Sequence, residues 1–317
     1  MDIFGDGPGY NDANRAFLQA FLARSVLTLE TAKPIIAACS TFREQREVLP
    51  QDVTVEDLND YIADANRRLS PLDFEIRSTL HQQTRERVYA LVNTTSDPLM
   101  QLATSYTADE IVYVRKLLDA MFDGQNNQGK REAMCISGID AIQVGRAALR
   151  RQANEENEAQ VAAAGVLSAM DSENMLHKLL DEGWLEKSRA GFYNLSPRAL
   201  MELKGWLVDT YNDEDEDGNK REKIKFCHAC KEIITVGQRC PRRECPCRVH
   251  DICTQNFFRI QRSTRCPLCR TEWDGECFVG EKSITTSESY QTGKRRSGAY
   301  NRRRPSAHAN NEEDDVE

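Results

Sequence analysis

The chain has 317 residues, which exceeds the usual size of one domain, about 100–200 residues, so we expect two or three domains. A formal net charge of −8 argues against a protein that coats nucleic acid with a uniformly basic surface. No apolar run approaches the roughly 18 residues of a membrane-spanning helix, and the first residues lack the apolar segment of a secretory signal. These features predict a soluble intracellular protein without a membrane partner.

The first hundred residues predict three helices followed by a two-stranded ribbon. Apolar residues recur at helical spacing in three segments, residues 14–27, 28–38 and 53–68. Alternation of apolar and polar residues then predicts short strands at residues 72–77 and 87–92. Because three helices followed by a ribbon is the layout of a winged helix, we place a first winged-helix domain at residues 1–100.

The same order of elements recurs in the next hundred residues. Thr107-Ala-Asp-Glu110 is a capping box, in which a hydroxyl and a carboxylate satisfy amides at a helix start. A helix that ends at Gly183 is followed by a predicted hairpin at residues 184–195 and one closing helix at residues 196–208. We therefore predict a second winged-helix domain at residues 101–211.

A winged helix that reads DNA needs a basic recognition helix. Residues 171–183, which occupy that position, carry more acidic than basic side chains. We therefore favour a protein–protein module over a sequence-specific DNA reader. Nonspecific contact with DNA phosphates stays open, because Lys187 and Arg189 of the hairpin are basic and residues 220–275 hold thirteen Lys/Arg against six Asp/Glu.

Two polar segments flank the last domain. Residues 212–222 are acidic and contain little apolar surface to bury, so we predict a linker there. A zinc domain is expected at residues 223–280, and the Ser-, Asn- and Arg-rich residues 281–317 predict a disordered tail. With such a linker, we expect metal removal to unfold the zinc domain and to leave the helical domains folded.

Nine of the eleven cysteines lie within residues 227–277. Such a density requires disulfides or metal ions, and a reducing compartment disfavours persistent disulfides. Seven cysteines and one histidine have the spacing of two tetrahedral zinc sites in which alternate ligand pairs share an ion, an arrangement called a cross-brace. The first Zn²⁺ is predicted to bind Cys227, Cys230, His250 and Cys253, and the second Zn²⁺ to bind Cys240, Cys245, Cys266 and Cys269.

Three further residues compete for roles at these sites. Cys247 is the alternative to Cys245, but it would leave only two residues before His250, a shorter reach to the other site. His228 is expected to point outward, and Cys277 to pack as a small hydrophobic side chain. Both sites are predicted to be closed and structural, without the open position that metal catalysis requires.

The order of four cysteines, one histidine and three cysteines is shared by variant RING fingers and PHD fingers. Cys266-Pro-Leu-Cys269-Arg270 resembles the closing loop of RING ubiquitin ligases. That resemblance implies that Pro267 lines the groove for the ubiquitin-conjugating enzyme (E2) and that Arg270 bridges the E2 and its ubiquitin. PHD fingers usually place a tryptophan where this chain has Thr264, so we favour the RING.

Helical, winged-helix-like modules followed by an acidic linker and a RING resemble the non-SMC element one family. This is the RING subunit of the eukaryotic SMC complex that is neither cohesin nor condensin. The resemblance covers residues 10–275 and is most specific at "GQRC…CPCRVHDIC…FFRIQRSTRCPLC". It implies an E3 ubiquitin ligase that pairs with a MAGE-type subunit and a kleisin, and that supports recombination repair on nuclear chromosomes.

One residue departs from the RING pattern. RING ligases prefer a bulky aliphatic residue at the second place between the first two ligands, and this chain has Ala229 there. Losing a few tens of Å² of apolar contact weakens E2 docking by about 1 kcal/mol. We therefore expect weak, partner-stimulated ligase activity, with a non-catalytic architectural subunit as the alternative.

The carboxyl-terminal segment carries two basic clusters, at residues 294–296 and 302–304. Such clusters bind nuclear import receptors or nucleic acid. They predict a contribution of the tail to nuclear localisation.

Overall fold

The computed structural model describes residues 10–94, 106–124, 127, 131–152, 167–214 and 220–292. Over these ranges, no helix combines the length and the apolar character needed to cross a bilayer. The basic clusters predicted to act in nuclear import lie outside the described residues.

The first winged helix follows the predicted order of three helices and a ribbon. Its elements are α1 (Asp12–Arg24), β1 (Val26–Thr28), α2 (Leu29–Glu44), α3 (Val55–Leu69), β2 (Phe74–Leu80) and β3 (Arg87–Asn93). The strands form an antiparallel sheet in the order β1-β3-β2. Turns of 3₁₀ helix at Pro50–Asp52 and Ser70–Leu72 flank α3.

Short polar side chains set the starts of these helices. Asn11, Thr28 and Thr54 each accept a hydrogen bond from a backbone amide in the first turn, and each belongs to a capping box. The capped helices then pack their apolar faces around Phe17, Phe21 and a common core with β2 and β3. Tertiary burial of these faces, more than helix propensity, stabilises helices of this length.

The second winged helix repeats the topology. Its elements are α4 (Ala108–Phe122), β4 (Ile136–Ser137), α5 (Gly138–Gln152), α6 (Ala169–Asp181), β5 (Leu185–Lys187) and β6 (Phe192–Leu195). The strand order β4-β6-β5 matches the order of the first sheet. The predicted capping box at Thr107 is confirmed, and Gly183 and Gly191 adopt the left-handed backbone that ends α6 and turns the hairpin. The tandem winged-helix prediction is therefore confirmed.

The closing helix was predicted as a single helix, but the structure contains two. It is divided into α7 (Pro197–Glu202) and α8 (Lys204–Tyr211), which meet at Leu203. Leu203 and Leu207 are buried in the domain core, so the break lets both short helices turn apolar residues inward.

The acidic segment predicted as a linker is paired. Strands β7 (Asn212–Glu214) and β8 (Lys220–Glu222) form an antiparallel hairpin directly after α8, and residues 215–219 lie outside the described part. Asn212 closes the hairpin with two hydrogen bonds, because its side chain accepts from Ile224 N at 2.8 Å and donates to Ile224 O at 2.9 Å. The paired residues are all polar, so the sequence has no apolar alternation that would predict these strands. The exact domain boundaries stay a prediction.

The zinc region is a small sheet with one helix. Strands β9 (Gly237–Arg239), β10 (Arg248–Val249) and β11 (Phe278–Val279) run in the order β10-β9-β11, and α9 (Asp251–Gln261) follows β10. Ile224, Ile233, Ile234 and Val279 of this region belong to the same buried cluster as the second winged helix. The zinc region and the second winged helix therefore share a core.

The tail was predicted to be disordered from residue 281. The structure corrects this start, because residues 281–292 pack against the second winged helix. Helix α10 (Lys282–Thr285) buries Ile284 against Ala133, Cys135 and Phe192 of the second winged helix. Tyr290 packs on the same cluster, with its ring centroid 6.2 Å from that of Phe192. We call residues 281–292 the C-terminal strap. Ile284 and Tyr290 are isolated apolar residues among polar ones, so no periodic pattern in the sequence predicts that this segment packs on the core.

Candidate metal centre

The first predicted ligand set comes together in space. The ligand atoms of Cys227, Cys230, His250 and Cys253 all lie within 4.8 Å of one another. His250 Nδ1 is 3.3 Å from Cys230 Sγ and 3.9 Å from Cys253 Sγ. This is a closed Cys₃His donor set of the kind that holds structural zinc.

A backbone carbonyl fixes the orientation of the histidine. His250 is 2% exposed, and its Nε2 lies 3.1 Å from the carbonyl oxygen of Ile233. When Nε2 carries the proton and donates to that oxygen, the Nδ1 lone pair faces the three sulfurs. Such a partner outside the ligand set selects the tautomer that binds metal.

The second ligand set is equally compact. Sulfurs of Cys240, Cys245, Cys266 and Cys269 lie within 4.8 Å of one another. The Cys240 and Cys269 sulfurs are 3.4 Å apart, and those of Cys245 and Cys266 are 3.6 Å apart. Because the two sets alternate along the chain, the predicted cross-brace with two zinc sites is confirmed.

The choice between Cys245 and Cys247 is resolved by position. Cys247 is fully buried but belongs to neither ligand group, and burial raises the pKa of its thiol to about 12. Cys277 is half-buried beside the sheet, where its carbonyl accepts a hydrogen bond from Arg239 N. The His228 ring packs edge-on against Phe257, with centroids 6.3 Å apart, and is also outside the ligand groups.

The two Cys-x₂-Cys loops share one backbone geometry. In the first zinc loop (227–231), the Lys231 amide donates to Cys227 O at 2.9 Å, and in the closing zinc loop (266–270), the Arg270 amide donates to Cys266 O at 2.8 Å. Lys231 and Arg270 both adopt left-handed φ angles, 63° and 60°. Each loop thus turns within five residues and directs two sulfurs to one side.

An ion pair that the sequence did not reveal connects the second site to the winged helix. Arg248 is 1% exposed, and its guanidinium donates to the carbonyls of Cys245 at 2.6 Å and Cys247 at 2.9 Å. The same group donates twice to Glu132, at 2.7 Å and 2.6 Å, and Lys225 Nζ lies 2.7 Å from Glu132. The planar fork of arginine suits this bidentate contact.

The charge state of Glu132 follows from its partners. Burial alone would raise the pKa of its carboxyl, but the hydrogen bonds and charge of Arg248, together with the charge of Lys225, outweigh burial and lower this pKa to about 2. Glu132 is therefore ionised at neutral pH and neutralises the buried Arg248. Glu132 and Arg248 are 116 residues apart in the chain, so no local pattern in the sequence predicts that they pair.

The three residues predicted to contact the E2 and ubiquitin are all exposed. Ala229 lies in the first zinc loop, and Pro267 and Arg270 lie in the closing zinc loop. Ala229 lines a groove of about 430 Å³ together with Phe257 and Ile260 of α9. Pro267 and Arg270 are not among the residues that line this groove. The role of all three residues in E2 contact stays a prediction.

The first winged helix reaches the zinc region through its ribbon. We call residues 80–86, from the last residue of β2 to the residue before β3, the first wing. The Gln82 side chain donates to Ile233 O at 2.9 Å and accepts from the amides of Thr235 at 3.0 Å and Val236 at 2.9 Å. Leu80 and Arg85 of the first wing line the groove that contains Ala229. We call it the wing–zinc groove.

Two lysines of the second winged helix have partners within the domain. Lys178 of α6 lies 4.2 Å from the Tyr106 ring centroid and 3.8 Å from a Glu110 carboxylate oxygen. Lys187 in the wing is 5.1 Å from the Tyr193 ring centroid. Whether the second winged helix contacts DNA stays a prediction.

Tandem winged helices joined to a two-zinc cross-brace define a protein of the winged-helix and RING-like class. A family model described as "Nse1 non-SMC component of SMC5-6 complex" matches residues 14–203, and a model described as "RING-like domain" matches residues 227–269. Because the first model covers more than half of the chain, the chain belongs to the Nse1 family of SMC5-6 components.

Individual relatives agree with this assignment. The human protein named "Non-structural maintenance of chromosomes element 1 homolog" is 24% identical over 84% of this chain and 85% of its own length. The Schizosaccharomyces pombe protein "Non-structural maintenance of chromosomes element 1" is 24% identical over 86% of this chain and 96% of its own. A solved chain of an "Nse1-Nse3-Nse4 complex" shares the fold, with a TM-score of 0.61, 21% identity and coverage of 84% and 97%.

Proposed function

We propose that the protein is a RING-type E3 ubiquitin ligase subunit of an SMC complex. The observation that carries the proposal is the closing zinc loop, which presents Pro267 and Arg270 to solvent on a backbone fixed by two ligands. This loop of the chain resembles the closing loop of RING ligases at both positions. The supporting feature is the wing–zinc groove, where Ala229 and Ile260 are exposed beside the half-buried Phe257.

In such a ligase the protein contributes positioning, because the thioester cysteine belongs to the E2. The guanidinium of Arg270 would hold the E2 and its ubiquitin in one orientation through several parallel hydrogen bonds. Zinc would have only a structural role at these sites. Each site offers four protein ligands, which fill the tetrahedral coordination of the ion and leave no position for a substrate or water.

Ubiquitin discharge from a loaded E2 tests the proposal. Arg270→Ala and Arg270→Lys should both lower the discharge rate, because lysine keeps the charge but loses the planar fork. Arg243→Ala removes another exposed arginine of the zinc region and serves as the matched control. A rate for both Arg270 variants equal to that of the control would exclude the ligase role.

The alternative is a non-catalytic architectural subunit. Its favouring observation is Ala229, whose small side chain leaves little apolar area at the position where RING ligases seat the E2. Under this alternative, the zinc region serves to dock partners and loaded E2 retains its ubiquitin.

The proposed partners are a MAGE-type subunit and a kleisin, and the proposed place is the nucleus, on chromosomes, in recombination repair. One structural relative is a chain of an "Nse1-Nse3-Nse4 complex", and this likeness supports the assembly. Copurification from cells should recover the MAGE-type partner at a one-to-one ratio, and its absence would refute the assembly. Direct DNA contact is proposed only as weak and nonspecific, and affinity that does not fall with salt would exclude it.

A further inference from the structure

The carbonyl group of Ile233 accepts hydrogen bonds from two distant parts of the chain. The ring of the ligand His250 places its Nε2 3.1 Å from this oxygen, and Gln82 Nε2 of the first wing donates to it at 2.9 Å. A carbonyl oxygen has two lone pairs, so it can accept both bonds at once. Because the first bond orients a zinc ligand, the second connects the first winged helix to the first zinc site through a single atom.

Gln82 holds more than this one carbonyl. Its Oε1 accepts from the amides of Thr235 at 3.0 Å and Val236 at 2.9 Å, and from the Thr235 hydroxyl at 3.2 Å. Ile233 and Thr235 are each 3% exposed, so their backbone groups need partners inside the protein. One primary amide thus fixes the backbone here with four hydrogen bonds. We call residues 233–237 the bridging segment.

The bridging segment packs directly on the ligands of the first zinc site. It ends at Gly237, where an added Cβ atom would lie 2.4 Å from Val249 O and 2.8 Å from His250 Cα, which leaves no space between the two backbones. Just before the segment, the Glu232 carbonyl accepts from the amide of the ligand Cys227 at 2.8 Å. A shift of the bridging segment would therefore displace two of the four ligands.

The turn of the first wing presents Gln82 on a fixed backbone. His81 Nε2 lies 3.1 Å from a Glu186 carboxylate oxygen in β5, which attaches the wing to the second winged helix. His81 Nδ1 accepts from the amides of Gln83 at 3.2 Å and Thr84 at 3.1 Å, which closes the turn. A backbone held in this way loses little conformational freedom when Gln82 binds, so the glutamine is well suited to hold another group in place.

The second zinc site is held by a different anchor. Arg248 donates to the carbonyls of Cys245 and Cys247, and Glu132 in turn binds the Arg248 guanidinium. The Cys247 carbonyl also accepts from the amide of the ligand Cys240 at 3.1 Å. These bonds do not involve the first wing. The second site is therefore an internal reference for the first.

We propose that Gln82 is a positioning residue of the first zinc site, through which the first winged helix controls how firmly that site holds its ion. Gln82 is not a ligand and acts through the Ile233 carbonyl and His250. The second zinc site is independent of this contact. The proposal rests on the zinc sites and not on the ligase function, so either can fail without the other.

The experiment measures zinc release from each site of the full, zinc-loaded chain. Native mass spectrometry first counts the ions, and excess EDTA is then added. Pulses of iodoacetamide followed by peptide mapping show when Cys230 of the first site and Cys269 of the second lose protection, because alkylation requires a thiolate that is free of metal. Cys230 is exposed and Cys269 is half-buried, so both become accessible once their ion leaves.

Gln82→Ala should speed the loss of protection at Cys230 about tenfold and leave the rate at Cys269 unchanged, as expected for removing an outer partner of one metal ligand. Gln83→Ala is the matched control, because it removes an exposed glutamine of the same wing and should change neither rate. A Gln82→Ala chain that purifies with the second ion alone would support the proposal in the same way.

A second variant tests the route through the shared carbonyl. The carboxylate of Gln82→Glu can still accept from the Thr235 and Val236 amides, but it cannot donate to Ile233 O. It should therefore release the first ion as fast as Gln82→Ala does, and the rate of the unaltered chain in Gln82→Glu would refute this route.

The ratio of the two release rates separates positioning from general stability. Equal acceleration at Cys230 and Cys269 in Gln82→Ala, or loss of both ions during purification, would show that Gln82 only stabilises the fold, and the proposal would be wrong. Unchanged rates at both cysteines would overturn it as well.

Discussion

Arg248 places a full positive charge in the interior of the molecule, at 1% exposure, between the second zinc site and the winged helix. A buried guanidinium is tolerated only when it is paired, because desolvation of an isolated charge costs several kcal/mol. Glu132 provides that pairing with two hydrogen bonds, and the Cys245 and Cys247 carbonyls accept two more. The pair therefore joins the second zinc site to the segment that precedes β4.

Glu132→Gln should lower the free energy of unfolding by about 3–5 kcal/mol, because it leaves Arg248 buried without its counter-charge. Urea unfolding followed by tryptophan fluorescence measures this change. Lys204→Gln is the control, since it breaks an exposed pair with Glu232, 2.9 Å apart, and should cost under about 1 kcal/mol. Equal losses for the two variants would contradict the interior role of Glu132.

Zinc stoichiometry tests the ligand choice at the second site. Cys247→Ser should retain two zinc ions per chain, because Cys247 lies outside both ligand groups. Cys245→Ser should retain one, because a hydroxyl is a poor replacement for a thiolate ligand. Native mass spectrometry counts the ions, and two zinc ions in Cys245→Ser would refute the assignment.

Among the elements, the C-terminal strap covers a cysteine. Cys135 is 2% exposed beneath Ile284, and burial raises the pKa of its thiol to about 12. A thiol of this kind is inert, because the thiolate is the reactive form.

Truncation after residue 280 should expose Cys135 to iodoacetamide, whereas truncation after residue 292 should leave it protected. Peptide mapping of the zinc-loaded protein quantifies alkylation at Cys135, and Cys39, which is buried in the first winged helix, serves as the internal control. Protection of Cys135 in both truncations would show that the strap does not cover it.

Elements with a regular period could be predicted from the sequence, and elements held by isolated contacts could not. The helices of both winged helices have apolar stripes and capping residues, and these are local signals. The eight zinc ligands were also predictable, since tetrahedral coordination imposes a fixed spacing on its loops. The β7–β8 hairpin and the strap depend on backbone pairing and on single side chains, which leave no period.

At the scale of the whole molecule, the shared core changes the expected result of removing zinc. Composition at residues 212–222 predicted independent domains, but Ile233 and Ile234 are buried with Leu207 and Tyr211 of the second winged helix. The shared core therefore leads us to expect that metal removal also weakens the second winged helix. Loss of zinc takes apolar surface away from the second winged helix as well.

Chelation with EDTA should reduce hydrogen-exchange protection in α8 and the β7–β8 hairpin, and much less in α1–α3. The first winged helix has its own core around Phe17 and Phe21, separate from the cluster that includes Ile233. Hydrogen exchange read by mass spectrometry resolves the three regions in one sample. Unchanged protection of α8 after zinc loss would restore the independent-domain view.

The contact between Gln82 and Ile233 spans 151 residues of chain, which gives the molecule a defined order of assembly. At a synthesis rate of about 5–20 residues per second, roughly 8–30 s separate the appearance of these two partners. Each winged helix forms from nearby segments and can fold in that interval, because local contacts close quickly. Until Ile233 has been synthesised, the Gln82 side chain of the first wing forms its hydrogen bonds with water. A cell short of zinc would therefore accumulate chains whose first winged helix is folded while Gln82 lacks its partner in the zinc region.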